Sequence, residues 1–374
     1  MVSSQPKKFR VLVVEDSTFM RRVLETIFNS DDQLQVVGHA TDGREAIALA
    51  ESLKPDVITM DLNMPHMDGL QATAHIMTTN PRPIVVVSSE TREGAAKTLK
   101  ALELGAIEFV TKPSAGVDLD LQSAKEELIR KVRMAAKVRV VRTASRMVTA
   151  VQGAGTAAPV QRVPLPQPTP IVPAELRFPV VVLAASTGGP ATVMRMAPGF
   201  TKDFPAAVFL VQHMPAAFTT QYALQLAEFT GVRVKEAEAG EPVQPGTLYI
   251  CPGGQHLRVT PTGRIQLDST TGRIEGYLPN IDVTMESIAA YAGAMSIAVV
   301  LTGMGCDGAR GARAIKSAGG LVLAQDEATS VIFGMPAEAI RAGVVDQVLG
   351  IDDIYPAIEK RVLGLSRLAP VGAR

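Results

Sequence analysis

Short apolar runs alternate along the chain with longer segments in which apolar residues recur every three or four positions. The short runs are typical of buried strands, and the longer segments are typical of amphipathic helices. In the first part of the chain, the predicted strands are residues 11–14, 35–39, 57–60, 84–87 and 108–110. Helical patterns separate them, and a final helix rich in charged residues is predicted at 121–138. Such alternation indicates an α/β domain with a doubly wound parallel sheet.

The same alternation starts again near residue 180. The predicted strands are residues 180–185, 207–212, 247–250, 297–301 and 321–324. The predicted helices are residues 191–196, 219–229, 283–291, 309–317 and 336–342. Residues 257–260 and 264–267 flank a Pro-Thr-Gly turn, which predicts a β-hairpin. A second doubly wound parallel sheet is therefore expected, and the fold class is α/β.

A change of composition separates the two sheets. Residues 143–175 consist mainly of Ala, Val, Gln, Thr, Gly and Pro. Six prolines lie close together in this segment: Pro159, Pro164, Pro166, Pro168, Pro170 and Pro173. Proline at alternating positions prevents a helix and favours an extended polyproline conformation. The segment is interpreted as a semi-rigid linker, with a peptide ligand for another domain as the alternative. The predicted domains are residues 8–135 and 177–360, with the linker at 140–176.

Composition narrows the classes of function. The chain has 374 residues, enough for two or three domains, and its 37 basic and 37 acidic residues balance. Zero net charge gives no field that would favour nucleic acid or a membrane surface. The two cysteines, Cys251 and Cys306, argue against a disulfide framework and fit a reducing compartment. There is no apolar signal at the start and no run of about 18 apolar residues. A cytoplasmic protein without membrane insertion is expected.

Acidic residues follow two strands of the first predicted sheet. Glu15 and Asp16 end one strand, and Asp61 ends another. Ligands bind at such strand ends in open parallel sheets, and three carboxylates there would repel one another without a cation. Oxygen ligands of this kind suit Mg²⁺. Ser88 and Lys112 end two further strands and could hold phosphoryl oxygens. The set predicts a phosphoryl-accepting site, although any single Asp after a strand is often only a turn or capping residue.

This first part resembles the receiver domain of bacterial response regulators. The matching stretches are VLVVEDS, DLNMPHMDG, VVVSSE and EFVTKP. The resemblance implies a flavodoxin-like fold, Asp61 as phospho-acceptor, and a Mg²⁺ site formed by Glu15, Asp16 and Asp61. It also implies Ser88 and Lys112 as phosphate contacts and Phe109 as an aromatic switch. A cis peptide bond between Lys112 and Pro113 is expected by the same resemblance.

Three residues in the second sheet form a candidate catalytic set. Ser186 follows a strand and precedes Thr187, two glycines and a helix, as in a nucleophile elbow. His213 and Asp307 follow two other strands, so one edge of the sheet could bring all three together. The alternatives are plain: the serine turn could cradle a phosphate, His213 could be structural, and Asp307 could cap the helix near residue 309. His256 competes as the base.

A longer resemblance favours catalysis. Residues 178–355 resemble the catalytic domain of chemotaxis protein-glutamate methylesterase, a Rossmann-like domain. The matching stretches are AASTGGP, FLVQHMP, LYICPGGQHL, DVTMESIA, LTGMGCDGA and DEATSVIFGMP. The resemblance implies a triad of Ser186, His213 and Asp307. It implies hydrolysis of γ-glutamyl methyl esters, and deamidation of glutamines, on methyl-accepting chemoreceptors, with a chemotaxis histidine kinase as phosphodonor. No cofactor is expected at the esterase site.

Further expectations concern details of this site. Oxyanion donors are inferred at the backbone N–H groups of Thr187 and Met304. Asp282 is predicted to be the N-cap of the helix at 283–291. Cys306 stands beside the predicted triad acid and is interpreted as a neutral variant.

The order of the two domains suggests regulation. An unphosphorylated receiver would cover the active-site face, and phosphorylation of Asp61 would weaken that contact. Two alternatives belong to other classes of function. One is a phosphorylation-switched adaptor that only docks on receptor helices, although an adaptor has no chemical reason to keep Ser, His and Asp together. The other is a transcription factor, against which the absence of a basic recognition helix and the zero net charge both argue.

Overall fold

The computed structural model describes residues 8–89, 91–112, 118–138, 176 and 178–367. The predicted linker lies almost entirely outside these residues, and so does the predicted cis bond before Pro113. Two parallel sheets with helices on their faces make up the described part of the chain, in agreement with the predicted fold class.

The described residues of the N-terminal domain form five strands and five helices. Its elements are β1 Phe9–Val14, α1 Thr18–Asn29, β2 Leu34–Ala40, α2 Gly43–Leu53, β3 Val57–Asp61, α3 Gly69–Thr79, β4 Ile84–Ser88, α4 Arg92–Glu103, β5 Glu108–Thr111 and α5 Asp118–Ala135. All neighbouring strands are parallel, in the order β2-β1-β3-β4-β5, which is the flavodoxin-like order. Strands β3 and β4 are buried along their whole length, which explains their continuous apolar sequence.

The described residues of the C-terminal domain form nine strands and six α-helices. The elements of its first part are β6 Val180–Ala185, α6 Gly189–Met196, β7 Ala207–Gln212, α7 Ala216–Ala227, β8 Arg233–Glu236, β9 Thr247–Ile250, β10 His256–Val259 and β11 Ile265–Asp268. The second part adds α8 Ile281–Ala292, β12 Ser296–Val300, α9 Ala309–Ser317, β13 Leu321–Gln325, α10 Met335–Arg341, β14 Gln347–Leu349 and α11 Ile351–Ser366. The structure thus adds β8, β14 and α11 to the predicted elements.

Seven of these strands form one parallel sheet, in the order β14-β13-β12-β6-β7-β9-β8. The chain leaves β6 toward β7 on one side and later returns to pair β12 with the other side of β6. The strand order therefore reverses at β6, and open α/β sheets bind ligands at such a reversal. The two remaining strands, β10 and β11, pair antiparallel as the predicted hairpin.

The core of the C-terminal domain lies on both faces of this sheet. Strands β6, β7 and β12 have no exposed residue. A central parallel strand covered by helices on both faces must be apolar throughout, and these three segments are. Their carboxyl ends therefore sit on a rigid platform, and the residues that follow them are positioned by it. Among the described helices, none combines the length and the apolar character needed to span a bilayer.

Candidate active site and its receiver

Three carboxylates meet at the carboxyl edge of the N-terminal sheet. One oxygen from each of Glu15, Asp16 and Asp61 lies within 4.8 Å of the others. Glu15 and Asp61 are buried, whereas Asp16 is exposed. Burial raises the pKa of Glu15, and the nearby charge of Asp61 raises it further. A cluster that disfavours its own charge in this way, and that offers only oxygen ligands, is compatible with Mg²⁺.

Lys112 balances this cluster. Its Nζ lies 2.8 Å from Asp61 Oδ2 and 2.9 Å from Glu15 Oε2. Burial acts to lower the pKa of Lys112, but its contacts with Asp61 and Glu15 prevail and raise it. Ser88 lies beside this lysine at the end of β4, where Lys112 N donates to Ser88 O at 2.7 Å. The Ser88 hydroxyl donates to the Gly94 carbonyl at 3.3 Å, so it is held against the first turn of α4.

Ser186 stands at the reversal point of the C-terminal sheet. Its backbone N–H donates to Thr302 O at 3.0 Å, which ties the end of β6 to the end of β12. The chain then turns through Gly188, whose φ of 74° is the left-handed conformation that favours glycine. Helix α6 begins at once, with Pro190 in its first turn. The sharp turn leaves the Ser186 side chain partly accessible above the sheet.

His213 and Asp307 are joined by a hydrogen bond. His213 Nε2 lies 2.9 Å from Asp307 Oδ2, and the carboxyl group is completely buried. His213 is also next to Ser186, because Ala185 pairs with Gln212 in the parallel register of β6 and β7. In-register neighbours on adjacent strands are about 5 Å apart. No hydrogen bond joins Ser186 Oγ to the imidazole within the described residues. The structure thus brings Ser186 and His213 to adjacent strand ends and bonds His213 to Asp307.

Gln212 reinforces this neighbourhood. Its side-chain Nε2 donates to the carbonyl of Ser186 at 2.8 Å and to that of His213 at 3.3 Å. The Gln212 side chain is buried, so these bonds are shielded from water. The backbones that carry the hydroxyl and the imidazole are therefore linked by one side chain.

The amino end of α8 holds the Asp307 carboxylate. Ile281 N donates to Oδ2 at 2.8 Å, and Asp282 N donates to Oδ1 at 2.9 Å. The positive end of a helix dipole stabilises a negative charge placed there. Asp307 was expected either as a triad acid or as a cap for the helix near residue 309. It caps a different helix, and the same carboxylate meets His213.

Asp282 is not the N-cap of α8, so that prediction is wrong. The N-cap is Asn280, whose side chain accepts from Val283 N at 3.0 Å. The Asp282 carboxylate turns away and accepts from Gly308 N and Gly311 N, at the amino end of α9. The carboxylate of Asp282 in α8 thus binds the amino end of α9, while Asp307, just before α9, binds the amino end of α8. The pKa of Asp282 is raised to about 6. Burial is the main cause, the negative charge of Asp307 adds to it, and the two amides act in the opposite direction.

His256 does not compete for the role of base in this geometry. It is fully buried, with Nε2 2.7 Å from Gly272 O and Nδ1 accepting from Asn280 N at 3.1 Å. Both ring nitrogens are therefore used to hold the segment that leads into α8. His256 supports the site from behind.

Two backbone N–H groups near Ser186 remain available. The amides of Thr187 and Met304 donate to none of the described residues. The loop after β12 comes very close to the serine: a Cβ added to Gly303 would lie 2.8 Å from Ser186 Cβ. Glycine at 303 therefore allows this loop to pack directly on the strand end that bears the hydroxyl. Free donors beside a hydroxyl have the form of an oxyanion hole.

The comparisons with known proteins fit this geometry. Residues 181–358 match the model of the CheB methylesterase family, and residues 11–122 match that of the response regulator receiver domain. A protein-glutamate methylesterase/protein-glutamine glutaminase of Pyrococcus horikoshii is 42% identical over 359 residues, covering 95% of this chain and 94% of the relative. The chain belongs to the CheB methylesterase family. It is therefore an enzyme of the hydrolase class, with a receiver domain joined to a methylesterase domain.

Other relatives extend the match. The protein of the same name from Halalkalibacterium halodurans is 40% identical, over 95% of this chain and 98% of its own length. The crystal structure of the Thermotoga maritima CheB methylesterase catalytic domain is 40% identical over 50% of this chain and 99% of its own, with a TM-score of 0.48.

The receiver docks on the face of the methylesterase domain that carries the candidate active site. Thr187 Oγ1, next to Ser186, donates to Glu108 Oε2 of the receiver at 2.6 Å. The guanidinium of Arg130 in α5 lies 3.3 Å from the sulfur of Met304. Both residues with available amides are thus touched by the receiver.

Phe109, the expected aromatic switch, lies inside this contact. Its ring is buried, with its centroid 4.4 Å from that of Phe218 in α7. Lys131 in α5 donates to Phe109 O at 2.9 Å and pairs with Glu108 at 3.6 Å. Strand β5 therefore presents two consecutive side chains, Glu108 and Phe109, to the methylesterase domain.

Several residues of this site were not found from the sequence. Glu108 gave no signal, because a carboxylate on a buried strand is not expected to point at another domain. Asn280 and Gln212 are ordinary polar residues whose partners lie far along the chain. Tyr277 stacks on the His213 ring, and it precedes a Leu-Pro pair in a loop without a recognised motif. A tyrosine in such a loop does not by itself indicate a functional residue, and only its packing on His213 in the structure does so.

Proposed function

We propose that this chain hydrolyses γ-glutamyl methyl esters on methyl-accepting chemoreceptors, and deamidates receptor glutamines, through Ser186, His213 and Asp307. One observation carries the proposal: a fully buried carboxylate at a helix terminus accepts a hydrogen bond from an imidazole that neighbours an accessible serine. This arrangement supports an acid, a base and a nucleophile in the order that acyl transfer uses. The printed names of the relatives agree with both activities.

In this mechanism, Ser186 Oγ attacks the ester carbonyl carbon while His213 takes the hydroxyl proton. With Nε2–H directed at Asp307, the nitrogen that takes the proton is Nδ1. The imidazolium returns this proton to the departing methanol, and a water then splits the acyl-enzyme to leave glutamate and regenerate Ser186. Deamidation follows the same steps with ammonia as the leaving group.

Negative charge develops on the carbonyl oxygen during both attacks. The amides of Thr187 and Met304 are the proposed donors to it, since neither is used elsewhere among the described residues. Asp307 remains charged, keeps the imidazole oriented and stabilises its protonated form. The buried helix terminus suits this role, because it favours the carboxylate without a mobile counter-ion.

Phosphorylation of Asp61 is the proposed control. Glu15, Asp16 and Asp61 would hold Mg²⁺, which would neutralise charge on the incoming phosphoryl group. Ser88 and Lys112 would then hold phosphoryl oxygens, with a chemotaxis histidine kinase as the donor. Lys112 lies one position beyond β5, the strand that carries Glu108 and Phe109 into the interface. A change in what Lys112 pairs with is therefore transmitted to the residues that cover Thr187.

The test is release of methanol from methylated receptor by the full chain. Wild type should release methanol, and Ser186→Ala should not, while both keep the same circular dichroism spectrum. Binding of receptor without any methanol from the wild type would instead support the adaptor.

Control by phosphorylation is tested in the same assay. A small phosphodonor with Mg²⁺ should increase the rate of the wild type and leave that of Asp61→Ala at its basal level. An equal increase in both proteins would contradict the proposed control while leaving the esterase proposal intact.

A further inference from the structure

The imidazole of His213 has an aromatic neighbour on its face. The ring centroids of His213 and Tyr277 are 4.5 Å apart, and the two planes are inclined by 15°. Tyr277 lies in the segment between β11 and α8 and is partly accessible. The edge of the imidazole is bonded to Asp307, so Tyr277 and Asp307 contact the same ring in different directions.

Tyr277 is itself firmly held. The backbones of Ile274 and Tyr277 exchange two hydrogen bonds of 3.0 Å, and Asn280 Nδ2 donates to Ile274 O at 3.2 Å. The Tyr277 hydroxyl interacts with the backbone of Cys306. It also fills the space above Gly305, where an added Cβ would lie 2.0 Å from the hydroxyl oxygen. One side chain therefore rests on the imidazole and on the loop that carries Met304.

This contact has an electrostatic consequence. The face of an aromatic ring carries a negative quadrupole, which attracts a cation placed over it. His213 is neutral before attack and becomes a cation when it takes the serine proton. A stacked ring stabilises the second state more than the first, and only such differential interactions accelerate the chemical step.

We propose that Tyr277 is a positioning residue that fixes the plane of His213 and stabilises its protonated form during ester hydrolysis. This inference rests on the proposed function, since it assigns Tyr277 a part in the same reaction. The base His213 would then be stabilised by two groups, the Asp307 carboxylate at its edge and the neutral ring of Tyr277 on its face. The hydroxyl packs on the loop at Gly305, which helps to hold the ring in place.

The charged surroundings leave the tyrosine neutral. Burial raises the pKa of Tyr277, and the neighbouring Cys306 and Asp307 raise it further, whereas Arg130 of the receiver acts in the opposite direction. His213 itself faces Asp307, and Asp282 lies behind that carboxylate. Tyr277 therefore acts through its ring and not as a phenolate.

Fluorination tests the proposal without changing packing. Phe and trifluorophenylalanine at position 277 have almost the same shape, but fluorine withdraws the π density that attracts a cation. We expect Tyr277→Phe to lower kcat by no more than about threefold. Trifluorophenylalanine and Tyr277→Leu should lower it by roughly 3- to 30-fold, the range for removal of a cation–π contact. The acid limb of kcat/KM, which reports the base in the free enzyme, should move to lower pH.

A second readout does not depend on turnover. The pKa of His213 can be followed by NMR with ¹³C-labelled histidine in the full chain, with His213→Gln identifying its signal among the five histidines. It should fall by roughly 0.4 to 1.5 pH units between Phe and trifluorophenylalanine at 277. The same pKa in both proteins would overturn the inference. Absence of methanol release by the wild type would instead overturn the proposed function and leave the NMR comparison to decide the ring contact.

Discussion

Two buried aspartates, one in each domain, stand at the carboxyl ends of parallel strands and are held by different means. Asp61 is paired with the ammonium group of Lys112, which also contacts Glu15. Asp307 is held by two backbone amides at the start of α8 and by His213. The first arrangement uses a charge on a flexible stem, and the second uses dipoles fixed in the backbone.

This difference matches what each carboxylate is proposed to do. A phospho-acceptor must exchange its partner when a phosphoryl group arrives, and a lysine side chain can move with the new charge. A triad acid must keep one orientation through the whole cycle, and amides of a helix terminus cannot swing away. Both aspartates are buried at a strand end. Their hydrogen-bonding partners, and not their burial, therefore distinguish the proposed phospho-acceptor from the proposed triad acid.

The largest effect is expected at Asp307. Asp307→Asn places an amide where three hydrogen bonds now converge on a carboxylate, so its NH₂ group must face a donor. We expect kcat for methanol release to fall by about 10⁴-fold, as in other triads with this change. Phosphorylation of Asp61 by a small phosphodonor should be unaffected. The matched control is Asp352→Asn on the surface of α11, and comparable activity of the two variants would break the comparison.

Lys112→Ala should destabilise the receiver, because it leaves Asp61 and Glu15 buried without their cation. Breaking a buried pair of this kind costs about 3 kcal/mol or more. Mg²⁺ should restore part of this loss, since it supplies the missing positive charge. Hydrogen exchange of the β1 and β3 amides in the full chain measures the effect, with Lys97→Ala in α4 as the control. Equal Mg²⁺ responses of variant and wild type would argue that the acids do not bind the ion.

Asp282 gives a prediction in pH. Its pKa of about 6 lies above the ordinary value of 3.8, so protonation stabilises the folded state, and this contribution is lost as pH rises through about 4 to 6. Asn at 282 is neutral throughout. The stability advantage of wild type over Asp282→Asn should therefore shrink by up to about 3 kcal/mol between pH 4 and pH 7. Urea unfolding followed at β12 and α9 measures the free energy of unfolding of both proteins. A difference between them that does not change with pH would be inconsistent with a raised pKa of Asp282.

The smallest effect concerns the domain contact. Glu108→Ala removes the acceptor of the Thr187 hydroxyl and leaves that hydroxyl unpaired while the receiver is docked. A hydrogen bond to a charged group contributes about 1.5–3 kcal/mol, so basal methanol release without phosphodonor should rise roughly tenfold or more. Glu103→Ala, which removes an exposed contact with Gln225, is the control and should change it less than about twofold. An unchanged basal rate in Glu108→Ala would mean that docking does not limit access.

The sequence predicted the elements whose burial is complete. Strands of the two sheet centres read as unbroken apolar runs, and the acids, hydroxyl and imidazole that follow them were found because parallel strands end at one edge. The missed strands β8 and β14 lie at the two edges of the larger sheet, where one side needs no apolar partner. The missed helix α11 contains Pro356, which weakens a helical pattern although this helix accommodates it.

Contacts between distant segments set the limit of prediction. Capping rules relate a side chain to the helix that directly follows it, so they assigned Asp282 to α8 and offered Asp307 to α9. In the structure each carboxylate binds the other helix, because the amino ends of α8 and α9 lie next to each other. The docking of Glu108 on Thr187 likewise depends on how two folded domains meet. Neither relation has a period or spacing that a sequence could reveal.

Thr187 contributes two groups, its hydroxyl to the receiver contact and its backbone amide to the proposed reaction, and the two uses are not expected at the same time. Its hydroxyl is bound by the receiver, while its backbone amide belongs to the proposed reaction centre. On the proposed function, a substrate that reaches the Thr187 amide has to displace Glu108, so occupancy by substrate and occupancy by the receiver would compete. Linkage then works in both directions. On the proposed function, enzyme already engaged on substrate should therefore be the better acceptor of phosphate.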